Sequence, residues 1–379
     1  MITKRPIYNH QLKCVAFEIL SSKNTKPSEE NNNILHDLIL TANSQLPLFL
    51  PYSLKSSLEQ FEAPIENPVI LKLDATDIES VYTLKEIEES LFSIALLINT
   101  PKHLAWLNFA DYIGLSEQLL NSNDVTKVVQ YSKSKQRKVI AYGVEQVINF
   151  DKCKAMTMDY YCGDFLFKPA EESETEIAAN KLNLLQLIQT VQKEDCNFQD
   201  VSGIIQTDPL LSFQILKVAN SAGFGGYQSI DSIDQAIARL GLLHLKNWIT
   251  VLSMKNISNK PLEIMESGLI RAHMAEAIAK QSQNIAPQAA YTAGLLSILD
   301  CLLNKPIDEL VNQITLAEEI KDALISKAGP LGDLLSLVVA YEEGHWEDVS
   351  EQKSNNLNLS QLYIESLALV SKGSSAMQS

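Results

Sequence analysis

The residues of this sequence that are most capable of chemistry are six histidines and five cysteines, and they are scattered along the chain. His36 and Asp37 form an adjacent pair, the dipeptide with which metal phosphohydrolases bind their metals. No second histidine lies nearby in the sequence, and a metal centre needs several imidazoles and carboxylates that converge on one point. We therefore interpret the pair as two polar residues of an amphipathic helix.

The second half of the chain contains three histidines, His244, His273 and His345, which lie far apart and lack acidic partners at ligand spacing. His273 could line a pocket, but we interpret it as a core or surface histidine. The sequence contains neither a nucleophile elbow nor an activated cysteine. It therefore predicts no catalytic residue, no metal site and no cofactor site, and we expect that the chain is not an enzyme.

The cysteines are odd in number and never form a CxxC pair; they are Cys14, Cys153, Cys162, Cys196 and Cys301. This pattern is typical of neither a disulfide framework nor a zinc site, so we expect reduced thiols. The one glycine cluster, Gly223-Phe-Gly-Gly226, joins two predicted helices. A phosphate-binding loop would follow a strand, so these glycines are interpreted as turn residues.

The elements that carry these residues differ between the two halves of the chain. Seven β-type runs alternate with amphipathic helical stretches in the first half. The predicted strands are residues 14–20, 46–50, 69–74, 93–98, 111–115, 138–142 and 156–167, and the predicted helices are residues 33–42, 78–91, 117–131 and 144–154. Such alternation indicates parallel strands with helices outside. The half is shorter than a full eight-fold barrel of ~250 residues, which predicts a reduced TIM-like α/β barrel over residues 1–170.

Helical patterns alone follow an acidic stretch, PAEESETE at residues 169–176, and we place a linker at residues 171–180. Asp208-Pro209 predicts a helix start, Ser232-x-x-Gln235 and Thr315-x-x-Glu318 fit capping boxes, and Gly241 fits a helix end. Further helices are predicted at residues 268–281, 288–304, 332–341 and 360–370. Residues 181–379 are therefore predicted to form an all-helical domain.

The composition limits the partners that we expect. The net charge is −15, which disfavours nucleic-acid binding because that binding depends on Lys and Arg against phosphate. The N-terminus lacks the apolar segment of a signal peptide, and no apolar run is long enough for a bilayer. We expect a cytoplasmic protein that does not insert into membranes.

The helical half resembles the HDOD family. The segment at residues 204–225, IIQTDPLLSFQILKVANSAGFG, is similar to the family signature, and residues 229–249 match its continuation. HDOD domains resemble HD phosphohydrolases that have lost their metal ligands. Where those hydrolases carry His-Asp after Gly-Leu-Leu, this chain has Ser297-Ile298, and His273 falls near the first HD histidine.

Three segments of the first half resemble, in order and spacing, motifs of the EAL family of cyclic di-GMP phosphodiesterases. Phe17-Glu18-Ile19-Leu20 resembles the motif that names the family, which places Glu18 at its metal-binding glutamate. Residues 139–146, VIAYGVEQ, resemble its Ala-Glu-Gly-Val-Glu-Thr segment, and residues 162–169, CGDFLFKP, resemble its terminal motif. A barrel of this kind followed by an HDOD domain is a known architecture.

The departures from the EAL pattern decide the function that this resemblance implies. Glu18 and Glu145 are retained, but other metal, base and substrate positions are occupied by Pro51, Lys72, the uncharged residues 97–100, Gly114, Ser116, Tyr142 and Cys162. One metal-binding carboxylate cannot hold two divalent cations, each of which needs several oxygen ligands. The resemblance therefore implies a degenerate EAL domain.

We interpret the chain as a catalytically inactive scaffold of bacterial, cyclic di-GMP-linked signalling that binds protein partners. The alternative is a sensor that binds cyclic di-GMP or another nucleotide without cleaving it. The sensor is disfavoured because Ser22 replaces a family arginine and because only Arg5 and Arg137 remain in this half. We expect the helical half to make the main partner contact, with Phe224 and Tyr227 as anchors.

Overall fold

The computed structural model describes most of the first half of the chain and a discontinuous part of the second. The described residues are 1–22, 29–41, 46–61, 65–78, 87–169, 187, 190–191, 193, 195–206, 215–216, 219–220, 232–242, 245–246, 249–250, 253–254, 258, 260–282, 284–312, 316–351 and 357–378. They form two compact units: Met1–Ile39 with Ser44–Lys168 make the first, and Pro169–Ser379 lies in the second.

The first unit is a closed barrel of eight strands in sequence order. The strands are β1 (Ile2–Tyr8), β2 (Cys14–Ser21), β3 (Leu48–Pro51), β4 (Val69–Asp74), β5 (Ser93–Ile98), β6 (Tyr112–Leu115), β7 (Lys138–Tyr142) and β8 (Tyr160–Cys162). Each pair from β2 to β8 is parallel, whereas β1 runs antiparallel to both β2 and β8. Because seven strands run in one direction, their carboxyl ends lie together at one mouth of the barrel.

Helical segments connect the parallel strands. They are α1 (Glu29–Thr41), α2 (Lys55–Leu58), α3 (Glu117–Leu120), α4 (Val125–Ser134) and α5 (Val147–Ala155), with 3-10 turns at Tyr52–Leu54, Ala75–Asp77 and Pro101–Phe109. The connection from β5 to β6 is the 3-10 segment, which Pro101 opens, so an α-helix is missing at that place among the described residues. The outer layer of the barrel is therefore reduced, while its ring of strands is complete.

The predicted fold class is confirmed, but the strand count is corrected from seven to eight. The sequence analysis missed β1, in which Lys4, Arg5 and Pro6 interrupt the apolar alternation. It also made β8 too long, since pairing with β7 covers only Tyr160–Cys162 and the chain then turns at Gly163. Most of the helix predicted at residues 78–91 lies outside the described residues.

The second unit contains only helices among its described elements. They are α6 (Phe198–Gln206), α7 (Ile233–Leu240), α8 (Leu262–Ala279), α9 (Pro287–Leu296), α10 (Leu299–Leu303), α11 (Ile307–Val311), α12 (Glu318–Ile325), α13 (Gly329–Glu343), α14 (Trp346–Glu351) and α15 (Leu359–Gln378). The central helix α8 packs against α9, α13 and α15. Fourteen of its 18 residues are buried, which explains why it lacks a polar face.

Two helix ends follow the predicted local rules. The Ser232 hydroxyl accepts a hydrogen bond from the Gln235 backbone N–H at 3.2 Å, which caps α7. Gly241 ends the helix with φ 78°, a conformation that favours glycine. The buried face of α7 joins a core that includes Ile215 and Ile249.

Several predicted features lie outside the described residues: the linker at 171–180, the Asp208-Pro209 helix start, Thr315 of the second capping box, the glycine cluster 223–226 with Phe224 and Tyr227, and His244. Within the described ranges, no single helix has the length and hydropathy to cross a membrane. One bent pair, Glu318–Ile325 with Gly329–Glu343, meets the length and composition criteria only when its two helices are taken together.

Candidate functional site

The residues predicted to replace the EAL site converge at the carboxyl-end mouth of the barrel. Below this mouth lies an interior cluster that contains Ala16, Phe49, Ile70, Ala95, Tyr112, Ile140 and Tyr160. Side chains alternate along a strand, so the residue two positions further on faces the same way. Those next positions are Glu18, Pro51, Lys72, Leu97, Gly114, Tyr142 and Cys162. The structure thus places seven of the predicted positions in one layer.

Glu18 is the centre of this layer. Its side chain is 3% exposed, and its Oε1 accepts a hydrogen bond from the Nζ of Lys72 on β4. Its Oε2 accepts a hydrogen bond from the Sγ of Cys162 on β8 at 3.2 Å. Both carboxylate oxygens are therefore engaged by side chains from opposite sides of β2.

The charges around Glu18 keep it ionised. Burial raises the pKa of a carboxyl group, but here the positive charges of Lys72 and Arg5 and the hydrogen bonds from Lys72 and Cys162 outweigh it, so the pKa of Glu18 is lowered. Burial and the nearby Glu18 carboxylate raise the pKa of the Cys162 thiol well above its usual value. The mouth therefore holds a carboxylate, an ammonium and a neutral thiol at physiological pH.

The ring of Tyr142 occupies the space left by Gly114. A Cβ at Gly114 would lie 2.7 Å from Cε2 of Tyr142, so the ring rests directly on the glycine backbone. The Lys72 ammonium lies 5.2 Å from the centroid of the same ring, within the range of a cation–π interaction. Tyr142 is 8% exposed, and its hydroxyl has no hydrogen-bond partner among the described residues. The Tyr142 ring therefore covers Gly114 and lines the space beside Lys72.

The residues present do not fit the two metal ions that the EAL resemblance implies. The described residues contain no group of three or more His, Cys, Asp or Glu side chains that could hold a metal. The retained Glu18 gives one oxygen to an ammonium and the other to a thiol. A divalent cation would have to displace the Lys72 ammonium, whose charge repels it.

Three further residues that the sequence singles out in the first half, Glu145, Arg5 and Ser22, lie near the mouth but are paired. Glu145, the second retained glutamate, forms an ion pair with Lys168 at 2.6 Å, and both side chains are exposed. Arg5 lies 3.8 Å from Asp164. Ser22, at the position of the family arginine, accepts a hydrogen bond from the Met1 ammonium at 3.3 Å. Glu145, Arg5 and Ser22 therefore each have a local partner.

The His-Asp pair of the first half is separate from the mouth residues. His36 and Asp37 lie on α1, with Nδ1 and Oδ1 3.9 Å apart. The His36 ring packs edge-on against Phe61 with a centroid distance of 5.2 Å. The structure therefore gives the imidazole an aromatic neighbour and one carboxylate.

In the helical unit, His273 is buried on α8. Its Nδ1 is 3.9 Å from Oε2 of Glu276, and its ring packs edge-on against Tyr291 at 5.2 Å. This environment fits a core histidine with one acidic neighbour. His345 is exposed, with Nδ1 3.6 Å from Oε2 of Glu343. His273 therefore lies on α8 and His345 between α13 and α14, each with its own acidic neighbour.

No sequence pattern predicts the buried ionic network around Arg271, two residues before His273. The side chain of Arg271 is 4% exposed, and its Nη2 donates hydrogen bonds to Glu342 Oε2 at 2.8 Å and Glu343 Oε1 at 3.0 Å. The Ser267 hydroxyl donates to the other Glu342 oxygen at 2.7 Å. Burial lowers the pKa of an arginine, but the two glutamates outweigh it and the pKa of Arg271 is raised. The network joins α8 to α13.

The class of protein follows from this geometry together with the comparisons. Residues 181–324 match the family model of the HDOD domain. The chain thus combines an eight-stranded α/β barrel with a C-terminal helical HDOD domain.

Two relatives align with the chain. YuxH of Bacillus subtilis (strain 168) is 27% identical over 393 residues, which cover 96% of this chain and 95% of YuxH. Cyclic di-GMP phosphodiesterase CdgJ of Vibrio cholerae serotype O1 is 26% identical over 254 residues, which cover 65% of this chain and 59% of CdgJ.

Solved structures with some likeness include a standalone EAL protein from Vibrio cholerae O395 in its c-di-GMP-bound form. It is 18% identical, with a TM-score of 0.33, over 43% of this chain and 89% of that chain. A Marinobacter aquaeolei VT8 protein assigned to signal transduction is 12% identical, with a TM-score of 0.36, over 100% of this chain and 92% of that chain. The barrel itself is established by the strand pairing of this chain.

Proposed function

We propose that this protein is a non-catalytic regulator of cyclic di-GMP-linked signalling that acts by binding other proteins. The link to cyclic di-GMP is supported by the HDOD match and by the relative CdgJ, a cyclic di-GMP phosphodiesterase. The observation that carries the absence of catalysis is the Glu18–Lys72 ion pair at the barrel mouth. An ammonium lies on the one carboxylate that the EAL resemblance assigns to a metal.

Phosphodiester hydrolysis by metal ions requires an activated water and stabilisation of the developing charge. Apart from Lys72 and Cys162, this layer of the mouth offers Glu18, already neutralised, and then Pro51, Leu97, Gly114 and Tyr142. None of the last four supplies a carboxylate or an imidazole. A general base with an accessible lone pair is also missing from this layer of the described barrel.

The sensor alternative requires cations that are available to the ligand phosphates. Lys72 and Arg5 are two cations at the mouth, and each lies beside a carboxylate, Glu18 and Asp164 respectively. The Tyr142 ring lies over Gly114 and restricts the remaining space. These contacts favour the protein-binding role over the sensor.

The hydrolysis test uses the purified full chain with cyclic di-GMP and either Mg²⁺ or Mn²⁺, with CdgJ as the positive control. We expect no linear product above the buffer blank. Product that disappears in Glu18→Gln would refute the non-catalytic role. Product that persists in Glu18→Gln would instead identify a contaminating enzyme.

The sensor test is calorimetric titration of the same chain with cyclic di-GMP. We expect no binding at micromolar ligand. A micromolar dissociation constant, about −8 kcal/mol, would replace the protein-binding role with the sensor. The comparison variant is Tyr142→Ala, which enlarges the mouth. If the Tyr142 ring closes the mouth to cyclic di-GMP, this variant should bind the nucleotide and the parent chain should not.

The helical unit is the proposed site of the main partner contact, with Phe224 and Tyr227 as the anchors that the sequence suggests. Both anchors lie outside the described residues, so the proposal rests on their sequence context. Full-length Phe224→Ala/Tyr227→Ala should capture fewer partners from native lysate than the parent chain. The matched control is Phe198→Ala, an exposed aromatic on α6, which should capture them undiminished. If the fragment 1–170 alone retains the partners, the assignment to the helical unit is wrong.

A further inference from the structure

A buried carboxylate at a barrel mouth needs a counter-charge. Glu18 is 3% exposed, and an isolated ionised carboxylate in such a position is strongly disfavoured. The EAL resemblance implies divalent cations at this place, and the described mouth contains no set of ligands for them. The stability of the barrel therefore depends on another positive group.

We propose that the Lys72 ammonium permanently takes the place of a divalent cation at the mouth, so that this barrel is assembled and stable without metal. The inference shares the barrel mouth with the function proposed above and rests on it in that respect. The hydrolysis assay tests the function, whereas the unfolding experiments below test the inference independently of any product.

The placement of Lys72 supports this substitution. Lys72 lies on β4 and Glu18 on β2, so the ion pair spans the intervening strand β3, where Pro51 is the register partner of Lys72. Cys162 reaches Glu18 from β8, across β1. The carboxylate therefore joins sequence-distant strands through two side chains, as a metal ion would do through its ligands.

The surroundings of the ammonium also suit a fixed organic cation. The Lys72 side chain is 19% exposed, and its Nζ faces the ring of Tyr142 at 5.2 Å. An aromatic face stabilises an ammonium but offers no oxygen lone pair to Mg²⁺. Gly114 makes room for that ring, because any larger residue would meet it. The mouth is thus suited to lysine rather than to a metal.

The first experiment compares the full-length parent chain with Lys72→Met and with Glu18→Gln/Lys72→Met. Lys72→Met removes the hydrogen-bonded ammonium from the buried Glu18 carboxylate and leaves Arg5 as a nearby positive charge, so the barrel transition in calorimetry should fall by on the order of 5–10 °C. The double variant removes the charge as well and should regain at least half of that loss. Hydrogen exchange of peptides from β2 and β4 assigns the change to the barrel, and peptides from α8 serve as the internal control.

The second experiment asks whether a metal can replace the ammonium. In EDTA, Lys72→Glu should lose stability because two carboxylates then share the mouth. Millimolar Mn²⁺ should restore it saturably, by roughly 5 °C at a hundredfold excess over the dissociation constant. Sodium chloride of equal ionic strength should not restore it, and the parent chain should not respond to Mn²⁺.

Three results would overturn the inference. One is stabilisation of the parent chain by Mn²⁺ beyond the effect of ionic strength. Another is a Lys72→Met variant that is no less stable than the double variant. The last is a folded Lys72→Glu variant whose unfolding temperature is the same in EDTA and in Mn²⁺.

Discussion

Arg271 is the buried charge whose removal should most weaken the helical unit. Its guanidinium donates hydrogen bonds to Glu342 from Nε at 3.2 Å and from Nη2 at 2.8 Å, and it reaches Glu343 at 3.0 Å. Arg271→Met keeps an unbranched apolar side chain in the core but removes the charge and all three bonds. The carboxylate of Glu342 then remains buried, with Ser267 as its partner.

The expected cost follows from the loss of the Arg271 charge beside this buried carboxylate. Breaking a buried ion pair by removing one partner costs about 3–5 kcal/mol. Glu343 adds little to this figure, because its side chain is 22% exposed and can be hydrated by water. In Arg271→Met/Glu342→Gln the buried charge is gone, and we expect a cost of about 1–3 kcal/mol from lost hydrogen bonds. The difference between the two variants is the effect to be measured.

The assay is equilibrium unfolding in urea followed by the fluorescence of Trp346. Its ring lies 5.4 Å from that of Tyr341, the neighbour of Glu342 on α13. The sequence contains three tryptophans. The parent and every variant in this assay therefore also carry Trp106→Phe and Trp248→Phe, which leaves Trp346 as the only tryptophan. The signal therefore reports the helix that carries the ion pair.

The reasoning fails if Arg271→Met costs less than about 1 kcal/mol, because the pair would then be as weak as an exposed one. It also fails if the single and double variants are equally unstable. In that case the loss would come from packing of the arginine stem and not from the uncompensated charge of Glu342.

Three further predictions concern packing, thiol reactivity and pH. Gly294→Ala should destabilise the protein by roughly 1–3 kcal/mol, because the new Cβ would lie 2.7 Å from the Ala272 backbone. Gly203→Ala, which has open space around it, should instead stabilise the protein by up to ~1 kcal/mol. Thermal unfolding measures both changes. All five cysteines are buried, and burial raises the pKa of Cys301 to about 12. The native protein should therefore react slowly with a thiol reagent at neutral pH. A fast reaction before unfolding would contradict this expectation. The lowered pKa of Glu18 contributes stability that is present above its unfolded value of about 4.3 and is lost as pH falls through the lower folded pKa. Parent stability should therefore fall more steeply than that of Glu18→Gln in acid titrations below about pH 4, and parallel curves would refute the assignment.

Local sequence patterns predicted the architecture because most strands and helices show the apolar pattern typical of their own type. Seven strands were located from apolar runs, and α7 was located from end to end by its Ser232 cap and by Gly241. The missing strand β1 carries Lys4, Arg5 and Pro6, which break the apolar pattern. Its pairing with both β2 and β8 is a non-local property that closes the barrel. The pattern within the segment itself therefore could not reveal it.

The site was predictable as a set of positions but not as a set of contacts. Motif order placed Glu18, Lys72 and Cys162 near one another, and the structure brings them into hydrogen-bonding distance. The packing of Tyr142 on Gly114 could not be predicted, because it depends on the space between two strands. The Arg271 network could not be predicted either, because Arg271 and its glutamate partners are separated by about 70 positions and no local motif joins them.

The side chains at the barrel mouth complement one another physically. Without Lys72 the buried Glu18 carboxylate would lose its ion pair, and without Gly114 the Tyr142 ring would clash. Cys162 supplies the hydrogen bond that satisfies the second oxygen of Glu18. Mouth residues that did not fit one another would leave cavities and unpaired charges, each of which costs stability. The contacts among Glu18, Lys72 and Cys162 therefore support a barrel maintained as a folded body, which is what the proposed binding role requires.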